Sequence, residues 1–145
     1  MKMANKIKQK PPRQIVGNVG LYYICYELSK RGWNVLPTSR NAKGVDIIIF
    51  SQKAQRKYSI QVKSLSKKDP VPLGSNLENL FGDYLIICRK VFDDKPEIFI
   101  TKINEIKNKS LIHEGIKNNK RSFWLQPKDY EQFENNWKII GEGYD

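Results

Sequence analysis

Histidine, cysteine and acidic residues are all scarce in this sequence, and each shortage removes a class of function. Among 145 residues there are one histidine and two cysteines. Two cysteines cannot form a disulfide framework, and no Cys/His cluster has the spacing of a zinc site. Cys25 falls in a helical apolar pattern and Cys88 in an apolar strand pattern. Both read as reduced core residues of a cytoplasmic protein. His113 is followed by Glu-Gly, without the second histidine of a zinc helix. A Ser/His triad would rest on that one histidine, and neither Ser110 nor Ser122 lies in a nucleophile context. No apolar run approaches the roughly 18 residues of a membrane span, so no membrane partner is expected. The lysine-rich N-terminus has no apolar segment of the secretory type. Gly17 and Gly20 precede apolar helical positions with no phosphate-loop Lys-Ser/Thr after them, which points to close packing rather than nucleotide binding.

What remains is charge. Twenty-six Lys and Arg face fifteen Asp and Glu, a formal net charge of +11. An excess of this size attracts polyanions, nucleic acid before anionic membrane. Residues 1–14 read as a basic, proline-containing arm, and 15–145 as a single domain of ordinary size.

The pattern along the domain mixes helices and strands. Asn18 is a candidate N-cap for a first helix carrying Val19, Tyr22, Tyr23 and Tyr26, and Gly32 is the expected stop after Lys30-Arg31. Strands are expected at 33–36, at 45–50 with apolar residues on both faces and hence central, at 57–63, 83–89, 97–101 and 122–125. Residues 51–56 read as a hairpin loop. Short helices are expected near 77–81 and 103–107, and a longer C-terminal one over 128–140 with Tyr130, Phe133, Trp137 and Ile140 on one face. The class is α/β or α+β, a mixed sheet flanked by helices.

Two of these strands carry polar residues where apolar ones belong. Asp46 opens the run Gly44-Val-Asp-Ile-Ile-Ile-Phe50, and Gln61 and Lys63 interrupt Tyr58-Ser-Ile-Gln-Val-Lys63. If Phe50 faces Lys57 across the hairpin, Asp46 stands opposite Gln61, and Lys63 is the diagonal neighbour on that face. A carboxylate and an amide oxygen can hold Mg²⁺ together with waters and a phosphate oxygen. A lysine there can orient water or stabilise a crowded phosphate. The alternative is structural: Asp46 capping the turn after Gly44, with Asp46–Lys63 a cross-strand ion pair on a solvated face.

The helix ending in Lys-Arg-Gly-Trp33, the strand after it, the basic glycine-containing loop, and then Gly44-Val-Asp-Ile and Ile60-Gln-Val-Lys63 resemble the PD-(D/E)XK nuclease superfamily over roughly residues 15–64. This is the segment shared by Holliday-junction resolvases and many restriction enzymes. The resemblance implies a restriction-endonuclease-like αβββαβ core and Mg²⁺-dependent hydrolysis of DNA phosphodiesters, with Mn²⁺ as a substitute. It implies catalytic Asp46, Gln61 and Lys63, with Asp46 and Gln61 on the metal. Gln61 stands where relatives carry Asp or Glu, and Gly17-Asn-Val-Gly-Leu21 offers no acid where many relatives place a helical Glu. Asn18 could supply an oxygen instead. Both departures imply weaker metal binding, and they keep a second reading open: a weakly active or inactive nuclease fold that binds nucleic acid or a protein partner.

Around this site, Ser39, Arg40 and Lys43, with Thr38, are candidate contacts to phosphates next to the scissile bond. Lys67 and Lys68, in a Pro/Gly connector, could follow a DNA backbone. Lys120 and Arg121, in the exposed run Lys-Asn-Asn-Lys-Arg121, are further phosphate contacts. Trp124 could stack a base, though core packing suits it as well. A chain of this size covers little DNA, so a homodimer would be the natural way to cut both strands.

Overall fold

The structure is a computed structural model, and it describes residues 10–39 and 44–145. Eight strands, β1 to β8, and three α-helices, α1 to α3, follow one another along the chain. α1 is Arg13–Lys30, β1 Asn34–Pro37, β2 Ile47–Phe50, β3 Lys57–Leu65, β4 Val71–Gly74, β5 Tyr84–Arg89 and β6 Glu97–Lys102. α2 is Ile103–Asn108, β7 His113–Lys117, β8 Lys120–Leu125 and α3 Pro127–Tyr130. The fold is α+β. A mixed five-stranded sheet has the order β1-β2-β3-β5-β6, and a second, three-stranded sheet the order β4-β8-β7.

The large sheet lies between two apolar layers. Ile24 and Leu28 of α1 pack on Ile47, Ile49, Ile60, Ile86 and Cys88 on one face. Leu85, Ile87 and Phe99 meet Val71, Leu73, Phe123 and Leu125 of the small sheet, with Ile103, Ile106, Tyr130 and Phe133, on the other. β5 is buried on both faces because both layers cover it. Within the second layer Arg89 is 4% exposed. It bonds Glu97 at 3.0 Å and Glu131 at 2.9 Å, between the Phe99 and Tyr130 rings. A buried cation paired this fully stays charged, and its pKa is pushed up by those hydrogen bonds against the opposing effect of burial.

Several expectations are corrected. α1 begins at Arg13, not at Asn18, and is entered through Pro12 without a side-chain cap; proline just before the first turn sacrifices no needed amide. Arg13 and Gln14 therefore belong to the helix rather than to the arm. β2 is flanked by strands on both sides but is covered on one face alone. Ile48 is 41% exposed beside its partner Leu36, because the second layer does not reach that far. Between β3 and its parallel neighbour β5 the chain forms β4 and a single 3₁₀ turn, Leu77–Asn79, in place of a full helix. The 128–140 helix breaks into α3 and two 3₁₀ turns. Asn135 takes φ +50° and donates its amide to the Ile98 carbonyl at 2.8 Å, so pairing with the edge of β6 overrides the helical pattern. Tyr130 and Phe133 then serve one core, Trp137 and Ile140 the other.

Gly20 and Gly17 sit on α1 in different circumstances. A Cβ at Gly20 would fall 2.7 Å from Ser64 Cβ, whereas one at Gly17 would meet nothing within 4 Å. Close approach of α1 to β3 thus explains Gly20 alone. Gly20→Ala should cost about 1–3 kcal/mol by overpacking, and Gly17→Ala should gain about 0.5–1 kcal/mol from helix propensity. Urea denaturation of the two variants would show opposite signs.

Candidate functional site

The hairpin joining β2 and β3 fixes the register that the site needs. Phe50 pairs with Lys57 and Ile47 with Ile60, the pairing that the register argument assumes. β2 stops at Ile47, so residues 61–65 of β3 have β5 on one side and a bare edge on the other. Asp46 stands where that bare edge begins. Its amide donates to the Ile60 carbonyl at 2.9 Å, and its carboxylate Oδ2 accepts the Val62 amide at 2.7 Å. Ile60 and Val62 are two residues apart and present their backbone groups to the same edge. The carboxylate therefore takes the ladder position that the next backbone carbonyl of β2 would fill.

The loop before Asp46 is pinned at both ends. Thr38 donates its amide to the Asp46 carbonyl at 2.9 Å and its hydroxyl to the Val45 carbonyl at 2.5 Å. Gly44 has φ +73°, and a Cβ there would lie 2.5 Å from the Phe81 ring. Glycine is needed at that position on both counts.

Alternation along β3 sends Val62 and Ser64 toward α1, and Gln61 and Lys63 to the other side of the strand. Asp46 lies at the strand edge beside Val62 and Ser64, and not on one flat face with Gln61 and Lys63 as the register argument expects. Asp46 opens, with Arg13, Gly17, Asn18, Leu21, Val62 and Ser64, onto a cavity of about 240 Å³. Lys63 opens onto an adjoining cleft of about 550 Å³, and Arg13 and Ser64 line both spaces. The Asp46–Lys63 ion pair of the structural alternative is not formed among the described residues. The carboxylate still acts on the lysine: burial pushes the Lys63 pKa down, and the Asp46 charge partly offsets this.

Gln61 Oε1 is the one buried side-chain polar atom among the described residues without a hydrogen-bond partner. A buried acceptor left unpaired costs about 1–3 kcal/mol. It is the feature of this site that calls for a ligand. Asp46 and Gln61 each keep one side-chain oxygen without a hydrogen-bond partner among the described residues, and oxygen donors of this kind are what a hard cation such as Mg²⁺ takes, along with water and phosphate. No cluster of three or more His, Cys, Asp or Glu is present among the described residues, so a cage made wholly of protein acids is not available there.

The flanking candidates fall in different places. Ser39 is exposed, and Arg40 and Lys43 lie outside the described residues. Lys67 is exposed after β3; Lys68 is drawn to Glu131 at 3.6 Å. Lys120 is exposed at the β7–β8 turn, and Arg121 is engaged by Glu114, with Nε 2.9 Å from its Oε1. Trp124 stacks on His113, whose Nε2 is 2.8 Å from Asp129 Oδ2, a packing role that occupies both. Lys10 and Arg13 line the Lys63 cleft, yet no motif marks them in the sequence. Their placement follows from where α1 begins.

A search of solved structures finds a bacterial homing endonuclease, I-Ssp6803I, similar over 90% of this chain and 93% of that one, with a TM-score of 0.60 and 13% identity. The fold is nuclease-like. No protein-family model matches the sequence, and no curated protein matches it. Within this nuclease-like fold no helix of the described residues is long and apolar enough to cross a membrane.

The two roles of Asp46 can be separated by substitution. Asp46→Asn keeps an oxygen for the Val62 amide and should unfold close to wild type, whereas Asp46→Ala orphans that amide and should cost about 1–3 kcal/mol. Thermal denaturation of the pair checks this. Lys63→Met should raise stability at neutral pH by roughly 0.5–2 kcal/mol, since it removes a charge held in a desolvated place. The folded-state pKa of Lys63 lies below its unfolded value of about 10.4. The cost is therefore full below the folded pKa and fades as pH rises toward the unfolded one. The gain from Lys63→Met should shrink over that alkaline window.

Proposed function

We propose that this protein is a Mg²⁺-dependent DNA endonuclease of the PD-(D/E)XK type, with Mn²⁺ as a working substitute. The observation that carries the reading is the unpartnered Gln61 oxygen at the bare edge of β3, with Asp46 at its start and Lys63 two residues on. The nuclease-like fold supports it at the level of architecture. Asp46 and Gln61 would hold the cation. Bound there, Mg²⁺ supplies Lewis-acid chemistry, neutralising charge at phosphorus and acidifying water. The chain's own residues do the rest. Val62 fixes the Asp46 carboxylate so that one oxygen faces outward. Lys63, desolvated, offers an ammonium whose attraction for a phosphate oxygen is stronger than it would be in water, and it orients the attacking water. Arg13, lining both spaces, is placed to receive a non-bridging phosphate oxygen. Two copies acting together would cut both strands.

One observation favours a second reading, a nuclease fold that binds nucleic acid or a protein partner and cuts poorly. With Gln61 neutral and Asp46 the one acid lining its cavity among the described residues, a cation there would be held by a single protein charge. Nicking of supercoiled plasmid, and cleavage of branched and single-stranded DNA, would separate the two. Wild type should cut with Mg²⁺ or Mn²⁺ and stop in EDTA. Asp46→Asn and Lys63→Ala should each lose about 10²-fold or more in rate while remaining folded. Gln61→Glu should lower the Mg²⁺ concentration needed for half-maximal cutting, because it adds a second negative ligand. Absence of cutting by every form on every substrate would leave the binding role.

A further inference from the structure

Four cations converge on the Lys63 cleft, more than the proposed chemistry requires. The cleft is lined by Lys10 from the segment before α1, Arg13 from its first turn, Lys63 from β3 and Lys117 from the end of β7. These four come from three parts of the chain, yet they face one concavity. None is within ion-pair distance of a carboxylate among the described residues. Of the cations just outside, Lys68 is neutralised by Glu131, Arg89 by Glu97 and Glu131, and Arg121 by Glu114, while Lys67 and Lys120 are exposed without an ion pair among the described residues. Asp69 is the one acid on the cleft wall, against four cations.

The hairpin wall shows the same bias. Lys117 pairs directly with Lys120 across the β7–β8 turn. Like charges opposite one another across strands repel, and an isolated hairpin has no reason to keep them. Asn118 and Asn119 at φ +53° and +61° make the turn tight, which holds both lysines at its base. The remaining wall is polar or apolar without further charge: Ser64 and Ser66 offer hydroxyls, and Pro11, Pro70 and Pro72 present apolar rings with no backbone donors. A sugar–phosphate chain asks for cations and hydroxyls at its phosphates and tolerates apolar contact at its sugars.

We propose that this cleft, between the N-terminal end of α1 and the β7–β8 hairpin, is a channel for the phosphodiester backbone on one side of the bond to be cut. The proposal rests on the endonuclease reading for the choice of a polynucleotide as the ligand. Lys63 belongs to both regions: its ammonium lines the cleft and marks where the channel meets the reacting phosphate. Contacts of this kind hold the backbone and do not read bases, so the channel contributes affinity and position, not sequence choice.

The test is fluorescence anisotropy with a labelled DNA duplex of arbitrary sequence, in EDTA so that no cutting occurs, over a series of salt concentrations. Arg13→Gln and Lys117→Gln are compared with Lys57→Gln and Lys102→Gln, which remove the same charge from exposed positions at the other end of the large sheet. Each cleft variant should weaken binding and reduce the slope of log affinity against log salt by about one unit, with the two distal variants leaving the slope unchanged. Equal effects from all four would mean diffuse attraction and overturn the channel, as would wild-type binding by the cleft variants or no binding by wild type at low salt. Melting temperatures confirm that all four variants fold. In cleavage assays the cleft variants should raise KM more than they lower kcat. Cutting by wild type with unaltered binding by the cleft variants would sink the channel and leave the nuclease. A slope change in the cleft variants with no cutting by wild type would sink the nuclease and leave the channel.

Discussion

The hydrogen bond from the Val62 amide to the Asp46 carboxylate is the contact on which the site depends. It lets β2 begin only at Ile47 without abandoning a ladder donor on β3. That late start exposes the edge of β3 beyond Ile60, and the exposed edge is where Gln61, Lys63 and the two adjoining cavities lie. A side chain that replaces a backbone carbonyl has one oxygen committed to structure and one left for chemistry. The structural and catalytic readings of Asp46 are therefore not rivals. The same carboxylate can satisfy both.

The molecule handles buried charge in two ways. Arg89 is enclosed and answered by two carboxylates and two aromatic rings, a satisfied network that ties β5 and β6 to the segment following α3. Lys63 is partly enclosed and, among the described residues, answered by no ion pair, and Gln61 beside it keeps an acceptor unsatisfied. Both arrangements use the same low-dielectric interior. One closes its electrostatics within the fold, and the other leaves them open at a surface cleft. Polar groups left unanswered in this way weaken the folded state, and sites for ligands are where proteins tolerate that loss.

Much of this could be read along the chain where the signal is local. The strands themselves follow from local apolar patterns, but a six-residue loop leaves their register open; the structure pairs Phe50 with Lys57, which brings Asp46 to the start of the Gln61–Lys63 segment. The stop of α1 at Gly32 follows from its φ of +87°. The misplaced elements are those whose signal was overridden from a distance. Proline before Arg13 starts a helix that the Asn18 pattern would delay. The backbone of β6 breaks the C-terminal helix at Asn135. The β7 strand went unread because His113-Glu-Gly-Ile-Lys117 has little apolar alternation, and Trp124 and the Lys117–Lys120 turn are what pair it with β8.

The sequence by itself determined a mixed sheet flanked by helices, the basic charge, and the Asp46, Gln61 and Lys63 candidates, because each is set by residue type and by spacing over a few positions. Only the tertiary structure decided that Asp46 bonds the backbone of β3, that Gln61 is left without a partner, and which lysines and arginines are neutralised. Those outcomes depend on which carboxylate or amide from a remote segment arrives beside each group. Arg89 meets Glu131 across more than forty residues, while Arg13, Lys63 and Lys117 meet no acid among the described residues. Charge pairing is a property of distance in space, and a linear pattern of cations does not contain it.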